Sequence, residues 1–122
     1  MICRVKVIQD DRLADLKAFS KALGSIKAVL LKTGSLKGMI GVEAAEFMVK
    51  NEITLIGTEA MSIEDSSDKS HPVHCALLEN ETVIVESLNL KDAPEGIYTL
   101  VCLPLKIKGA DGAPARAVLI YD

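Results

Sequence analysis

The chain opens on an alternating run. In residues 2–9, Cys3, Val5 and Val7 fall on one face of an extended segment and Arg4 and Lys6 on the other, which is the pattern of a half-exposed β-strand. Asp10 and Asp11 follow, and then Leu13, Leu16, Phe19 (or Ser20) and Leu23 recur at helical spacing. This predicts a helix capped by Asp10 or Asp11 and stopped at Gly24. Residues 27–33, KAVLLKT, have few polar positions and predict a buried strand. GSLKG, 34–38, reads as a loop. A helix is expected from about Val42 to Lys50, with Val42, Ala45, Met48 and Val49 as its apolar stripe, and ITLIG, 53–57, as the next strand. A strand–helix–strand run of this spacing predicts a parallel pair joined by a right-handed crossover.

Residues 58–72, TEAMSIEDSSDKSHP, are polar and irregular, long for a connection within one domain, and such segments often carry function. A short helix at about 73–79 and a strand at 82–86 come next. SLNLKDAPEG is a loop whose end is marked by Pro94 and Gly96. Residues 97–103 and 104–108 form an extended stretch interrupted by Pro104. An Asp-Gly turn at 109–112 returns the chain as a hairpin partner at 115–121. No internal repeat or low-complexity tract is present. The fold expected is α/β: one domain with a mixed sheet, flanking helices and a terminal β-hairpin.

Composition narrows the function classes. A chain of 122 residues with 49% hydrophobic and 25% charged residues suits a single globular core, and 3% aromatic content leaves that core to Val, Ile, Leu and Ala. A net charge of -3 argues against a nucleic-acid binder, and the nearest thing to a basic cluster is Lys106, Lys108 and Arg116. No apolar run approaches the length of a membrane span. MICRVKVIQDD lacks the apolar stretch of a signal peptide, so a cytoplasmic location is expected. Cys3, Cys75 and Cys102 have no CxxC or zinc-finger spacing and read as small buried or half-buried thiols. A nucleophilic Cys75 paired with His74 is disfavoured, because adjacent residues on a helix face different ways.

The candidate chemistry lies in HPVHCALLENETVIVE, residues 71–86, which holds both histidines of the chain. In a parallel αβ unit the helix runs back against the strands. A helix start and the end of the next strand therefore share one edge of the sheet, the edge where open α/β sheets bind ligands. His74 at the helix start and Glu86 at the strand end should meet there, with Thr58, Glu59, Ser62 and Asp65 of the polar loop alongside. On pattern alone His71 is an exposed loop residue, His74 is more often a capping or satisfied structural histidine, and Glu86 is more often simply solvated. The sharper reading is a divalent-metal pair. Two ligands fall short of a hydrolytic centre, which needs about three protein ligands, an open position and a base.

Several stretches resemble the C-terminal half of the kynurenine formamidase and cyclase family of metal-dependent hydrolases. They are AVLLKTG at 28–34, GVEAAEFMVKNEITLIGTEAMSIE at 41–64, HPVHCALLENETVIVESLNL at 71–90 and GIYTLVCLPLKIKGADGAPARAVLI at 96–120. The resemblance implies a swivelling β/β/α-like core and makes His74 and Glu86 metal-ligand positions of the two-metal members. It also implies an absence: the family's HxGTHxDxP motif, which belongs to its N-terminal half, has no counterpart here, and no HxxxHxD pattern occurs anywhere. The chain is accordingly expected to begin near the middle of a family member and to be an incomplete amidase by itself. It would hold zinc or manganese only if another chain supplies the missing ligands. No catalytic residue is assigned, and no substrate-binding residue is identified. The expected partners are further copies of the chain or a separate N-terminal-half chain, with no nucleic acid and no membrane. The alternative expectation is a non-catalytic remnant acting as an oligomerising or binding module, and a third is a small-molecule domain using the 58–72 loop.

Overall fold

The computed structural model describes residues 1–34 and 39–121; most of the loop expected at 34–38 lies outside them. The elements in chain order are β1 (Ile2–Gln9), a 3₁₀ turn (Asp10–Ala14), α1 (Leu16–Leu23), β2 (Ala28–Lys32), α2 (Val42–Lys50), β3 (Leu55–Thr58), α3 (Pro72–Leu78), β4 (Val83–Val85), β5 (Gly96–Pro104) and β6 (Ala115–Ile120). They form a mixed α/β arrangement on one six-stranded sheet of order β4-β3-β2-β1-β5-β6. Strands β1 to β4 pair in parallel, and β5 and β6 add antiparallel at the other end.

Two apolar layers flank this sheet. On the helical side Phe19 and Leu23 of α1, Ala45 and Met48 of α2, and Val73 and Leu77 of α3 pack on Ile8, Val29, Leu31 and Ile56. On the other side Val5, Val7, Leu30, Leu55, Tyr98 and Leu100 are covered by Leu88, Leu90 and Ala93 of the chain between β4 and β5. β1 divides its residues between the layers as its alternation requires. Gly57 of β3 admits that cover closely: a Cβ there would stand 2.4 Å from a Leu30 methyl and 2.7 Å from a Leu88 methyl.

Three boundaries differ from expectation. The first helix is two pieces, because Asp10 and Asp11 lie in the 3₁₀ turn. Asp15, extended at φ -127° and ψ 94°, caps α1 by accepting the Lys17 and Ala18 N–H groups at 3.1 Å. Strand β4 ends at Val85, so Glu86 stands just beyond it. β5 ends at Pro104, which has no N–H to pair, and the expected strand at 104–108 is part of a broad connection closed by Leu105 N–H to the Pro114 carbonyl at 2.9 Å. The Asp-Gly pair therefore sits in that connection, with Gly109 taking a positive φ of 75°.

The sheet curls strongly. β4 and β6 are its opposite edges, yet Val83 and Val85 from one and Ala115 and Ala117 from the other line the same cleft of about 780 Å³.

Candidate metal centre

Helix α3 explains how the site is held. Pro72 opens it, fixing the first helical φ without wasting a donor. The N-cap residue is His71, in the left-handed region at φ 47° and ψ 52°, and its side chain caps nothing. The free N–H groups of the first turn are met from elsewhere: Glu64 accepts the Val73 N–H at 2.8 Å and the His74 N–H at 3.4 Å. A carboxylate is favoured in this position because the helix dipole is positive there.

The same carboxylate holds the histidine. His74 Nδ1 bonds to Glu64 Oε1. On the far side of the ring, His74 Nε2 lies 3.1 Å from Glu86 Oε1. Glu86 Oε1 in turn accepts the Ile63 N–H at 2.8 Å, which ties the end of β4 to the polar loop. One imidazole thus bridges two carboxylates, one buried (Glu64, 3% exposed) and one half-buried. Burial pushes the Glu64 carboxyl up. The His74 ring and the Val73 and His74 amides outweigh that, and its pKa lies below the ordinary glutamate value.

The structure brings His74 and Glu86 together at the expected edge. It adds Glu64, which the sequence reading missed between its neighbours Ser62 and Asp65. A helix opened by His-Pro carries no Ser, Thr, Asp or Asn cap, so its first-turn N–H groups are left to water or another segment, but nothing local singles out Glu64 as the acceptor. The loop residues named from sequence do other work. Thr58 Oγ1 accepts the Ala60 N–H at 3.0 Å, Ser62 Oγ accepts the Glu64 N–H at 3.3 Å, and Asp65 accepts the Ser67 N–H at 2.9 Å. Glu59 is buried and accepts N–H groups from Thr33, Gly34 and Leu90 at 2.9, 2.8 and 2.9 Å, so it clamps the sheet end. Its pKa is also lowered: burial raises it, but those three bonds and the nearby Lys32 charge prevail.

His71 is exposed, as expected, but it is not isolated. Its Nδ1 lies 3.3 Å from Glu64 Oε1, and its ring meets that of His74 edge-on at 6.0 Å between centroids. Cys75 points away from the pair toward the Ser70 carbonyl at 3.7 Å. It is exposed, Cys3 is half-buried and Cys102 is buried, so Cys75 departs from the expected burial.

The donors suit a small divalent cation. Nitrogen and carboxylate oxygen are zinc and manganese ligands. Glu64, His71 and His74 offer atoms within 4.8 Å of one another. Two placements compete, one among these three residues and one between His74 Nε2 and Glu86. The second fits the bonding better. Glu64 already accepts two main-chain N–H groups and lies against Nδ1, and a proton carried on Nδ1 toward it would leave the Nε2 lone pair for a metal. The 3.1 Å between Nε2 and Oε1 is near the ~3.3 Å edge of a zinc tetrahedron with ligand bonds of about 2 Å.

Comparison with known proteins gives these positions a context. No family model matches the chain. A kynurenine formamidase of Erythrobacter litoralis is 40% identical over 80 residues, 66% of this chain and 37% of that protein. Cyclase-like protein 3 of Arabidopsis thaliana is 36% identical over 104 residues, 82% of this chain and 38% of the relative. A solved structure described as a "predicted metal-dependent hydrolase" from Bacillus stearothermophilus superposes with a TM-score of 0.80 at 30% identity, covering 97% of this chain and 63% of that one. A second, described as a potential metal-dependent hydrolase with cyclase activity, gives 0.78 at 29%. The chain spans less than two fifths of these curated relatives and under two thirds of the solved structures.

Proposed function

We infer that this chain, a partial relative of the kynurenine formamidases and cyclase-like metal-dependent hydrolases, contributes half of a divalent-metal site that hydrolyses an amide. The observation that carries the reading is the His74 ring held between Glu64 and Glu86, with its Nε2 on the Glu86 side. His74 and Glu86 are the ligands contributed here, and zinc or manganese is the cation. When bound, such an ion supplies Lewis acidity and activates water. Glu64 keeps the imidazole aimed and in one tautomer. The Ile63 N–H keeps Glu86 Oε1 beside it. The remaining ligands and the general base come from polypeptide outside residues 1–122, the counterpart of a family N-terminal half. A cytoplasmic location accompanies this reading, supported by three cysteines that are all free thiols.

Calorimetric titration with zinc and with manganese tests the half-site. Stoichiometric uptake is expected once a polypeptide supplying the missing ligands is present, lost in His74→Ala and weakened about 10- to 100-fold in Glu64→Gln. Uptake unchanged in His74→Ala would remove the basis of the proposal.

A second reading is favoured by a separate observation. Among the described residues no helix covers Ile97, Leu103, Val118 and Ile120, which lie on the helical side of β5 and β6 and are 43%, 56%, 46% and 49% exposed. An apolar sheet face of this kind suits a non-catalytic, self-associating module.

A further inference from the structure

Of the two cation placements around His74, the hydrolytic reading uses only the one on the Glu86 side. The other lies among Glu64, His71 and His74, whose donor atoms stand within 4.8 Å of one another. His71 is the N-cap of α3 and His74 follows three positions later, so their rings share one side of the helix start and meet edge-on. The His71 ring caps nothing and is carried on a left-handed backbone, so it has no structural duty in α3. Glu64 divides its oxygens between two tasks. Its Oε2 accepts the Val73 N–H at 2.8 Å, while its Oε1 faces both rings, against His74 Nδ1 and 3.3 Å from His71 Nδ1. That separation matches the ~3.3 Å edge of a zinc tetrahedron with ligand bonds of about 2 Å. The His71 side chain is 52% exposed, which gives an ion a way in and leaves a fourth position to water.

We propose that Glu64, His71 and His74 form a second zinc site, exclusive of the hydrolytic one, which this chain fills by itself and which withholds His74 from the hydrolytic position. The exclusion comes from the ring. A neutral imidazole offers one nitrogen lone pair and carries its proton on the other nitrogen. With zinc on Nδ1 the proton sits on Nε2, where Glu86 Oε1, 3.1 Å away, accepts it. Glu86 then orients the ring, as Glu64 does when the ion is on the Nε2 side. Ligand number decides between the two positions. This chain brings three ligands to the Nδ1 side and two to the Nε2 side, so alone it fills the first. The switch to the second when further ligands arrive rests on the half-site reading; the three-ligand site does not.

The test is calorimetric titration of residues 1–122 alone with zinc. One ion per chain is expected. Outer-shell partners of a metal are worth about 10- to 100-fold in affinity, so His71→Asn, which removes a ligand and is at ease in left-handed backbone, should weaken uptake about tenfold or more. Glu86→Gln should cost less, because the amide oxygen still accepts the Nε2 proton. Nitrogen-15 NMR of the His74 ring reads the same point without a substitution: zinc-bound His74 should be protonated on Nε2. No uptake by the chain alone, a larger loss in Glu86→Gln than in His71→Asn, or zinc-bound His74 protonated on Nδ1 would overturn the second site. With a polypeptide supplying the missing ligands present, the order of the two losses should reverse. The expected order in the chain alone with no reversal would sink the half-site and leave the second site standing; uptake only with the polypeptide present would do the opposite.

Discussion

The chemistry of the site is concentrated in Glu64 and His74, but Glu59 shows how much buried carboxylate this small chain carries. Glu59 and Glu64 are both held below the ordinary glutamate pKa by N–H donors. The sign follows from that direction. Each stabilises the fold fully above the unfolded value near 4.5, and the contribution is lost as pH falls through the lower folded value. Urea midpoints should thus be flat at neutral pH and fall on acidification below about 4.5. Glu59→Gln should lower the neutral-pH midpoint and flatten that acid limb; an unchanged acid limb would mean that Glu59 is not held as the structure has it. His74 and Glu86 were legible in the sequence because their residue types and element positions are local facts. Glu64 was not, since its partners are nine and ten positions away across an irregular loop.

At the level of elements, hydrophobic periodicity placed every strand and helix of the described residues to within a few positions, and α2 at its observed limits. The errors fall where side-chain hydrogen bonds decide a boundary. Three aspartates precede the first apolar helical turn, and any of them has the chemistry of a cap. Asp15 takes that place because its extended backbone lets one carboxylate oxygen reach two N–H groups. Asp15→Ala is expected to cost about 1 kcal/mol by equilibrium unfolding, while Asp10→Ala and Asp11→Ala cost much less. Equal losses from all three would argue against the split of the helix. The hairpin shows the same dependence on one residue, since Pro104, expected to interrupt an extended stretch reaching 108, ends β5 outright.

For the molecule as a whole, the consequential property is an open sheet whose edge strands β4 and β6 and the apolar face of β5 and β6 have no cover among the described residues. Helices cover β2, β3 and β4, but Val118 and Ile120 of β6 stay exposed beside Ile97 and Leu103 of β5. Concentration-dependent self-association is therefore expected in light scattering. Val118→Asp should shift it toward monomer with little change in stability, because the side chain is already half in solvent. A chain that is monomeric at all concentrations would count against the module reading. Opposite-edge strands share one cleft because the sheet coils, and that coiling also carries Glu86 into the cleft wall.

The order of elements, the parallel core, the apolar faces and the His74–Glu86 pairing were readable along the chain, because period and spacing are properties of neighbouring residues. The resemblance to the hydrolase family was readable for the same reason. Only the folded chain shows Glu64 under the helix start, Asp15 as the true cap and the meeting of β4 with β6. Each of these depends on contacts between segments far apart in sequence, whose geometry is set by how the sheet twists and what its two faces bury.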